Sequence, residues 1–293
     1  MRRILVTGGT GQVGSELLRC QWPSDIEVVA PTRQEIDLGD SDALERYVAG
    51  GNFSAVINSG AYTAVDRAED DALAAWKVNA LAPAALATAT KKRMIPLVQV
   101  STDYVFSGEK DGAYAEDDPV GPLGVYGASK EAGEQAVRAG NARHVIVRTS
   151  WIYSVRGSNF VRTMLRLRAL GGRIRVVNDQ VGCPTSATDL AEALSQLTLA
   201  LMERPSAPTG TYHFANTGTA TWYDFAREVF RQWDVENPVD VVPIQTHEFG
   251  HGAQRPTNSV LSVQKIGSDY GIVPRDWRTA LAPVLASMLR AAK

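Results

Sequence analysis

Residues 2–17 read RRILVTGGTGQVGSEL, and this stretch decides how the rest of the chain is read. An apolar run ends in threonine, glycines follow at 8, 11 and 14, and a helix-like segment begins at SELLRC. Glycines permit a tight turn and let backbone come close to a pyrophosphate. The following helix start supplies free N–H groups and a positive dipole end. The spacing G-x-x-G-x-x-G departs from the G-x-G-x-x-G fingerprint, so the loop is a variant of the dinucleotide-binding theme. Gly8, Gly11 and Gly14 are therefore expected cofactor contacts.

Outward from this loop, short apolar runs at 2–8, 26–32, 55–60, 96–102 and 144–151 are continuous rather than alternating. Strands covered on both faces have that pattern. Between them, 12–22, 40–50, 71–93 and 123–140 carry helical periodicity. Strand–helix alternation predicts an α/β fold with a doubly wound, Rossmann-like parallel sheet over residues 1–150. After residue 150 the pattern loosens into helices at 159–170, 188–202, 221–233 and 277–292 and strands at 173–179 and 211–216. Residues 151–293 are expected to form a smaller α/β, mainly substrate-binding domain, with some elements returning to the first sheet.

The 293 residues suffice for one large domain or two modest ones. Net charge is −2 and 44% of residues are apolar, which gives no basic footprint for nucleic acid or an anionic membrane surface. No apolar run approaches the roughly 18 residues of a membrane span, and MRRILVTGG leaves no room for a signal peptide. Cys20 and Cys183 lack metal-type spacing and fit a reducing cytoplasm. The four histidines are scattered, without ligand spacing.

Three further stretches carry chemistry. The second strand runs out as VVAPTR, with no acid for a ribose 2′-hydroxyl; Arg33 instead suits a 2′-phosphate, favouring NADPH with NADH as the alternative. STD at 101–103 falls at the carboxyl end of the fourth strand, where open α/β sheets place ligands. In GVYGASK (124–130), Tyr126 and Lys130 share one helical face. The ammonium is expected to lower the phenol's pKa, preparing Tyr126 to give a proton to a carbonyl oxygen. Lys130 would also hold ribose hydroxyls, and the Thr102 hydroxyl would bond the same carbonyl oxygen. Asn159 reads as a helix cap, Cys183 as a buried small hydrophobe, and the aromatics of TWYDFAREVF as core face.

With glycine loop, sheet pattern and Tyr-Lys pair in order, the chain resembles the extended short-chain dehydrogenase/reductase family. GQVG (11–14), TAVD (63–66), STDYVF (101–106), RTSWIY (148–153), NDQVGCPT (178–185), TWYDFA (221–226) and RPTNS (255–259) resemble its dTDP-4-dehydrorhamnose reductase subgroup. The resemblance implies reduction of the C4 carbonyl of dTDP-4-dehydro-L-rhamnose by a nicotinamide cofactor. It implies that Gly11, Gln12 and Val13 touch the pyrophosphate, Asp37 and Leu38 flank the adenine, and Ala61, Tyr62 and Thr63 line the cofactor cleft. Thr102, Asp103 and Trp151 would meet the sugar nucleotide. Arg255 is expected at its diphosphate, with a structural ion pair as the alternative. Related dehydratases carry glutamate where this chain has Tyr104, and a phenol is a poor base near neutral pH, so direct reduction is expected over elimination. The alternatives are a reductase or epimerase of another nucleotide sugar and a non-catalytic NADP(H)-binding regulatory subunit; the presence of Thr102, Tyr126 and Lys130 together argues for catalysis. Some relatives are magnesium-dependent homodimers joined through carboxylates; Glu16 suits that role, but Thr188 stands where those relatives have glutamate.

Overall fold

Successive residues of a strand face opposite sides, and in β1 (Arg2–Thr7) every one from Ile4 onward is apolar or buried. Both faces of the strand must therefore be covered. β1 lies between β2 (Ile26–Val29) and β3 (Ala55–Asn58), and the sheet continues through β4 (Leu97–Thr102) and β5 (His144–Thr149). The strand Gly210–His213, far along the chain, pairs with β5 and completes a six-stranded parallel sheet. The computed structural model describes residues 1–233, 239–250 and 252–291.

Leu5, Val56, Leu97 and Ile146 face α2 (Ser41–Gly50), α5 (Ala82–Lys92) and α6 (Val125–Gly140). Ile4, Val6, Ile57, Val98 and Val147 face the other side, against α1 (Gln12–Leu17) and α8 (Ala187–Glu203). α8 comes from the second half of the chain, so the first-half sheet is closed by a later helix. A separate apolar cluster packs Tyr153, Val161, Phe225, Phe230, Trp277 and Leu281 together, building the second lobe beside a parallel pair, Ile174–Val177 and Val241–Ile244.

Several element ends differ from the sequence reading for visible reasons. β2 stops at Val29, two residues before Pro31, which cannot donate to a ladder. α1 ends at Leu17 rather than 22. β5 ends at Thr149 because Trp151 adopts a left-handed backbone, φ +46°. The expected helix 71–93 is present as α4 (Ala72–Trp76), a π-helical turn at Lys77–Leu81, and α5. A short helix, α3 (Val65–Asp70), precedes it in a stretch the periodicity did not mark. The last helix is Trp277–Ala291; residue 292 of its expected span lies outside the described residues. No described helix is long and apolar enough to cross a membrane.

Candidate active site

A cleft of about 830 Å³ opens across the carboxyl ends of the strands. One wall is the glycine loop. A Cβ on Gly14 would stand 2.1 Å from the Gly8 carbonyl oxygen, so only glycine lets α1 start so close to β1. Gly14 thus packs behind the loop, while Gly8, Gly11, Gln12 and Val13 line the cleft. Arg33, Asp37 and Leu38 line it beyond the end of β2, and Ala61, Tyr62 and Thr63 beyond β3. Arg33 is largely exposed, with Asp37 3.7 Å away.

The opposite wall carries Thr102, Asp103, Tyr126 and Lys130. The small residues between Tyr126 and Lys130 have defined contacts. A Cβ on Gly127 would lie 2.2 Å from the Tyr104 carbonyl oxygen, so glycine lets α6 press against the turn that follows β4. Ser129 Oγ donates to the Tyr126 carbonyl (2.8 Å) and accepts from Asn79 Nδ2 (3.1 Å). Asn79, in the π-helical turn, also bonds both the N–H and the carbonyl of Tyr62, joining the cleft loop after β3 to α6. π-Turns inside α-helices recur at functional sites.

Lys130 is buried, and its Nζ donates to the Val100 carbonyl at 2.7 Å. Burial pushes its pKa down to about 8, with the charge of Glu134 opposing. Tyr126 behaves differently from the sequence expectation. Its phenol is pushed up to about 12 by burial, which penalises the phenolate; a hydrogen bond with Thr102 opposes this and the charge of Asp103 adds to it. Desolvation dominates, and Tyr126 keeps its proton near neutral pH. Thr102 Oγ1 donates to Asp103 Oδ1 (3.0 Å) and accepts from the Tyr104 N–H (3.2 Å). Asp103 is pushed up to about 7 by burial, which hydrogen bonds from Ser259 and Thr102 only partly offset.

Behind Lys130 lies a buried ion pair. Glu134, one turn further along α6, accepts from Arg148 Nε (2.9 Å) and Nη2 (2.8 Å) and from Arg138 Nη2 (2.6 Å). Burial works to raise its pKa, but Arg148 outweighs that and holds it below the usual carboxylate range. Burial beside the same arginine drives His213 down to about 3, so this histidine is neutral.

Trp151 and Trp222 stack at the mouth of the cleft, ring centroids 3.5 Å apart and planes 5° from parallel. The aromatics of TWYDFAREVF form a core face, with Phe225 and Phe230 buried and Trp222 packed against them, but Trp222 also lines the cleft. Arg255 stands outside the cleft lining, its Nη2 2.9 Å from both oxygens of Asp66, with a further hydrogen bond to Tyr104. Glu16 meets Arg19 Nη1 (3.1 Å) and Thr188 Oγ1 (3.3 Å), and among the described residues no group of three acidic, His or Cys side chains is arranged for a metal ion. With Thr188 in place of a second carboxylate, the charge a hard cation needs is not assembled. Cys183 is buried and unpaired, its thiol pushed up to about 11 by burial.

The family model of the RmlD substrate binding domain matches residues 1–290. The chain is 40% identical to a dTDP-4-dehydrorhamnose reductase of Burkholderia thailandensis, over 98% of this chain and 99% of that protein. The chain belongs to the dTDP-4-dehydrorhamnose reductase family. Solved structures of this family agree in fold. A dTDP-4-dehydrorhamnose reductase of Clostridium acetobutylicum superposes with a TM-score of 0.92 at 36% identity, covering 98% of this chain and 99% of that one. One from Bacillus anthracis, in complex with NADP, gives 0.91 at 34% identity, covering 98% and 100%. Family membership makes the protein an NAD(P)H-dependent oxidoreductase with the extended short-chain dehydrogenase/reductase fold.

Sequence reasoning missed Asn79 and Trp222 in this family site. Asn79 gives no signal of its own, since its partners Tyr62 and Ser129 are 17 and 50 residues away. Trp222 lies three residues before Phe225, so helical spacing alone puts both on one face.

Proposed function

We propose that the protein reduces the C4 carbonyl of dTDP-4-dehydro-L-rhamnose to give dTDP-L-rhamnose, with NADPH as the preferred reductant and Tyr126 as the proton donor. The carrying observation is the meeting of Thr102, Tyr126 and Lys130 on one wall of a cleft whose other wall is the glycine loop. The residues present suit a nicotinamide dinucleotide: the side-chain-free turn at Gly8 and Gly11 lines the cleft and admits a pyrophosphate, and the largely exposed Arg33, 3.7 Å from Asp37, suits a 2′-phosphate. When bound, that cofactor supplies the hydride. Tyr126, protonated across the physiological range, gives its proton to the carbonyl oxygen as the alcohol forms. Thr102 hydrogen-bonds the same oxygen by turning its hydroxyl from Asp103 Oδ1. Lys130 spends one N–H on Val100 and keeps two for ribose hydroxyls. Tyr104 offers no carboxylate base for eliminating water, and its phenol is pushed up by burial, which supports reduction over dehydration.

In this reading residues 1–150 hold the cofactor and 151–293 mainly the sugar nucleotide, with α8 and Gly210–His213 serving the first lobe. Trp151 meets the nucleotide sugar with Trp222 stacked behind it, and Asp103 is at hand for a sugar hydroxyl. Arg255 serves the diphosphate only by exchanging its bond with Asp66. Purified protein is expected to oxidise NADPH when given the 4-keto sugar nucleotide, and Tyr126→Phe to lower single-turnover reduction about 10²- to 10⁴-fold while NADPH affinity holds. Wild-type turnover in Tyr126→Phe would remove Tyr126 as donor; efficient dehydration of dTDP-glucose by the unaltered protein would remove the reductase reading.

A further inference from the structure

Gln12 opens α1 immediately after Gly11, yet its side chain is held from the other lobe. Its Oε1 accepts from Asn159 Nδ2 at 2.9 Å and lies 3.0 Å from Ser154 Oγ, partners 147 and 142 residues away. The orientation of Asn159 leaves no ambiguity. Its Oδ1 caps α7 (Phe160–Leu170) by accepting from the Arg162 N–H (3.1 Å), so Nδ2 must point the other way, toward Gln12 and the Ser154 carbonyl (2.9 Å). The Ser154 hydroxyl is shared, because it also donates to the Arg156 carbonyl (2.7 Å). Between them, Gly157 takes φ +70° and brings the loop so close that a Cβ there would be 3.1 Å from Gln12 Cγ. Gly157 and Ser158 then line the same cleft as the glycine loop.

We propose that Asn159 is a cofactor-positioning residue that acts through Gln12, with Ser154 in support. With Oε1 turned to Asn159, Gln12 is left with Nε2 as its other polar end, and that amide has no hydrogen-bond partner among the described residues. It is a neutral N–H donor on a residue lining the cleft beside the glycine loop, suited to an acceptor-rich pyrophosphate. Without Asn159 the amide can turn over and present its oxygen, which a phosphate repels. The cap and the clasp are separate duties of one side chain, and this makes them separable by substitution.

The inference rests on the NADPH reading above, and a thermodynamic cycle separates the two. Asn159→Ser keeps an N-cap acceptor and removes the Nδ2 donor. NADPH titration by protein fluorescence is expected to show about fivefold weaker binding, the worth of one neutral hydrogen bond, with a small fall in melting temperature from the lost bonds to the Ser154 and Arg156 carbonyls. In a Gln12→Leu background the same substitution should cost less than twofold. Ser154→Ala, which leaves the cap untouched, should follow the same pattern with a smaller effect. Equal weakening in both backgrounds, or none in the Gln12 background that carries the intact amide, overturns the clasp while leaving the NADPH reading in place. Failure of the unaltered protein to bind NADPH overturns both.

Discussion

Asp103 offers a direct test of the energetics of this site. Its carboxyl is buried between β4 and the turn after it, Oδ1 accepts from Thr102, and Oδ2 has no well-formed hydrogen bond among the described residues. Burial raises its pKa from 3.8 in the unfolded chain to about 7 in the fold. The folded protein therefore holds this proton over a pH range in which the unfolded chain has released it. The resulting stabilisation is fully present below pH 3.8 and is lost as pH rises through about 7. Roughly three pKa units correspond to about 4 kcal/mol. Asp103→Asn keeps the acceptor for Thr102 and removes the titration, so the variant should be spared this loss. For a chain of this length the unfolding entropy is on the order of 0.6 kcal/mol/K, so 4 kcal/mol corresponds to roughly 7 °C. Thermal unfolding of both proteins between pH 4 and pH 8 is expected to show melting temperatures that nearly coincide at pH 4. By pH 8 the variant should be the more stable by about that margin. A difference that stays constant over this range would show that Asp103 is solvated and ionised in the fold, and would refute the argument.

Two further expectations follow from the same site. Arg33→Ala should raise the KM for NADPH about 10- to 150-fold more than that for NADH, the worth of a lost charged hydrogen bond; an unchanged cofactor preference means the arginine stays in solvent. Lys130 carries its charge below about pH 8, so kcat/KM should fall as pH rises through that value, and Lys130→Arg, whose charge does not titrate there, should move the fall to higher pH; an identical alkaline limb in both proteins would exclude the lysine as its source.

The sequence by itself determined whatever depends on neighbours a few residues apart. The strand–glycine–helix order of 2–17, the continuous apolar strands and the i,i+4 placement of Tyr126 and Lys130 are local patterns, and the parallel sheet with its cleft follows from them. Residues 211–216 read as a strand, but only the folded chain shows Gly210–His213 paired to β5, because that contact joins residues about 65 apart. The same limit applies at the site. Asn79 meets Tyr62, Asn159 meets Gln12, and Arg255 meets Asp66 across 17, 147 and 189 residues, distances over which no periodicity carries information. The protonation of Tyr126 was a question of tertiary structure for a different reason. Its spacing from Lys130 argues for a lowered pKa, but burial acts on the phenol from all sides, and the penalty on the phenolate exceeds the opposing hydrogen bond with Thr102. Trp222 completes the contrast: helical spacing gave it the same face as Phe225, and only the packing of the second lobe against the cleft turned one ring inward and the other onto Trp151.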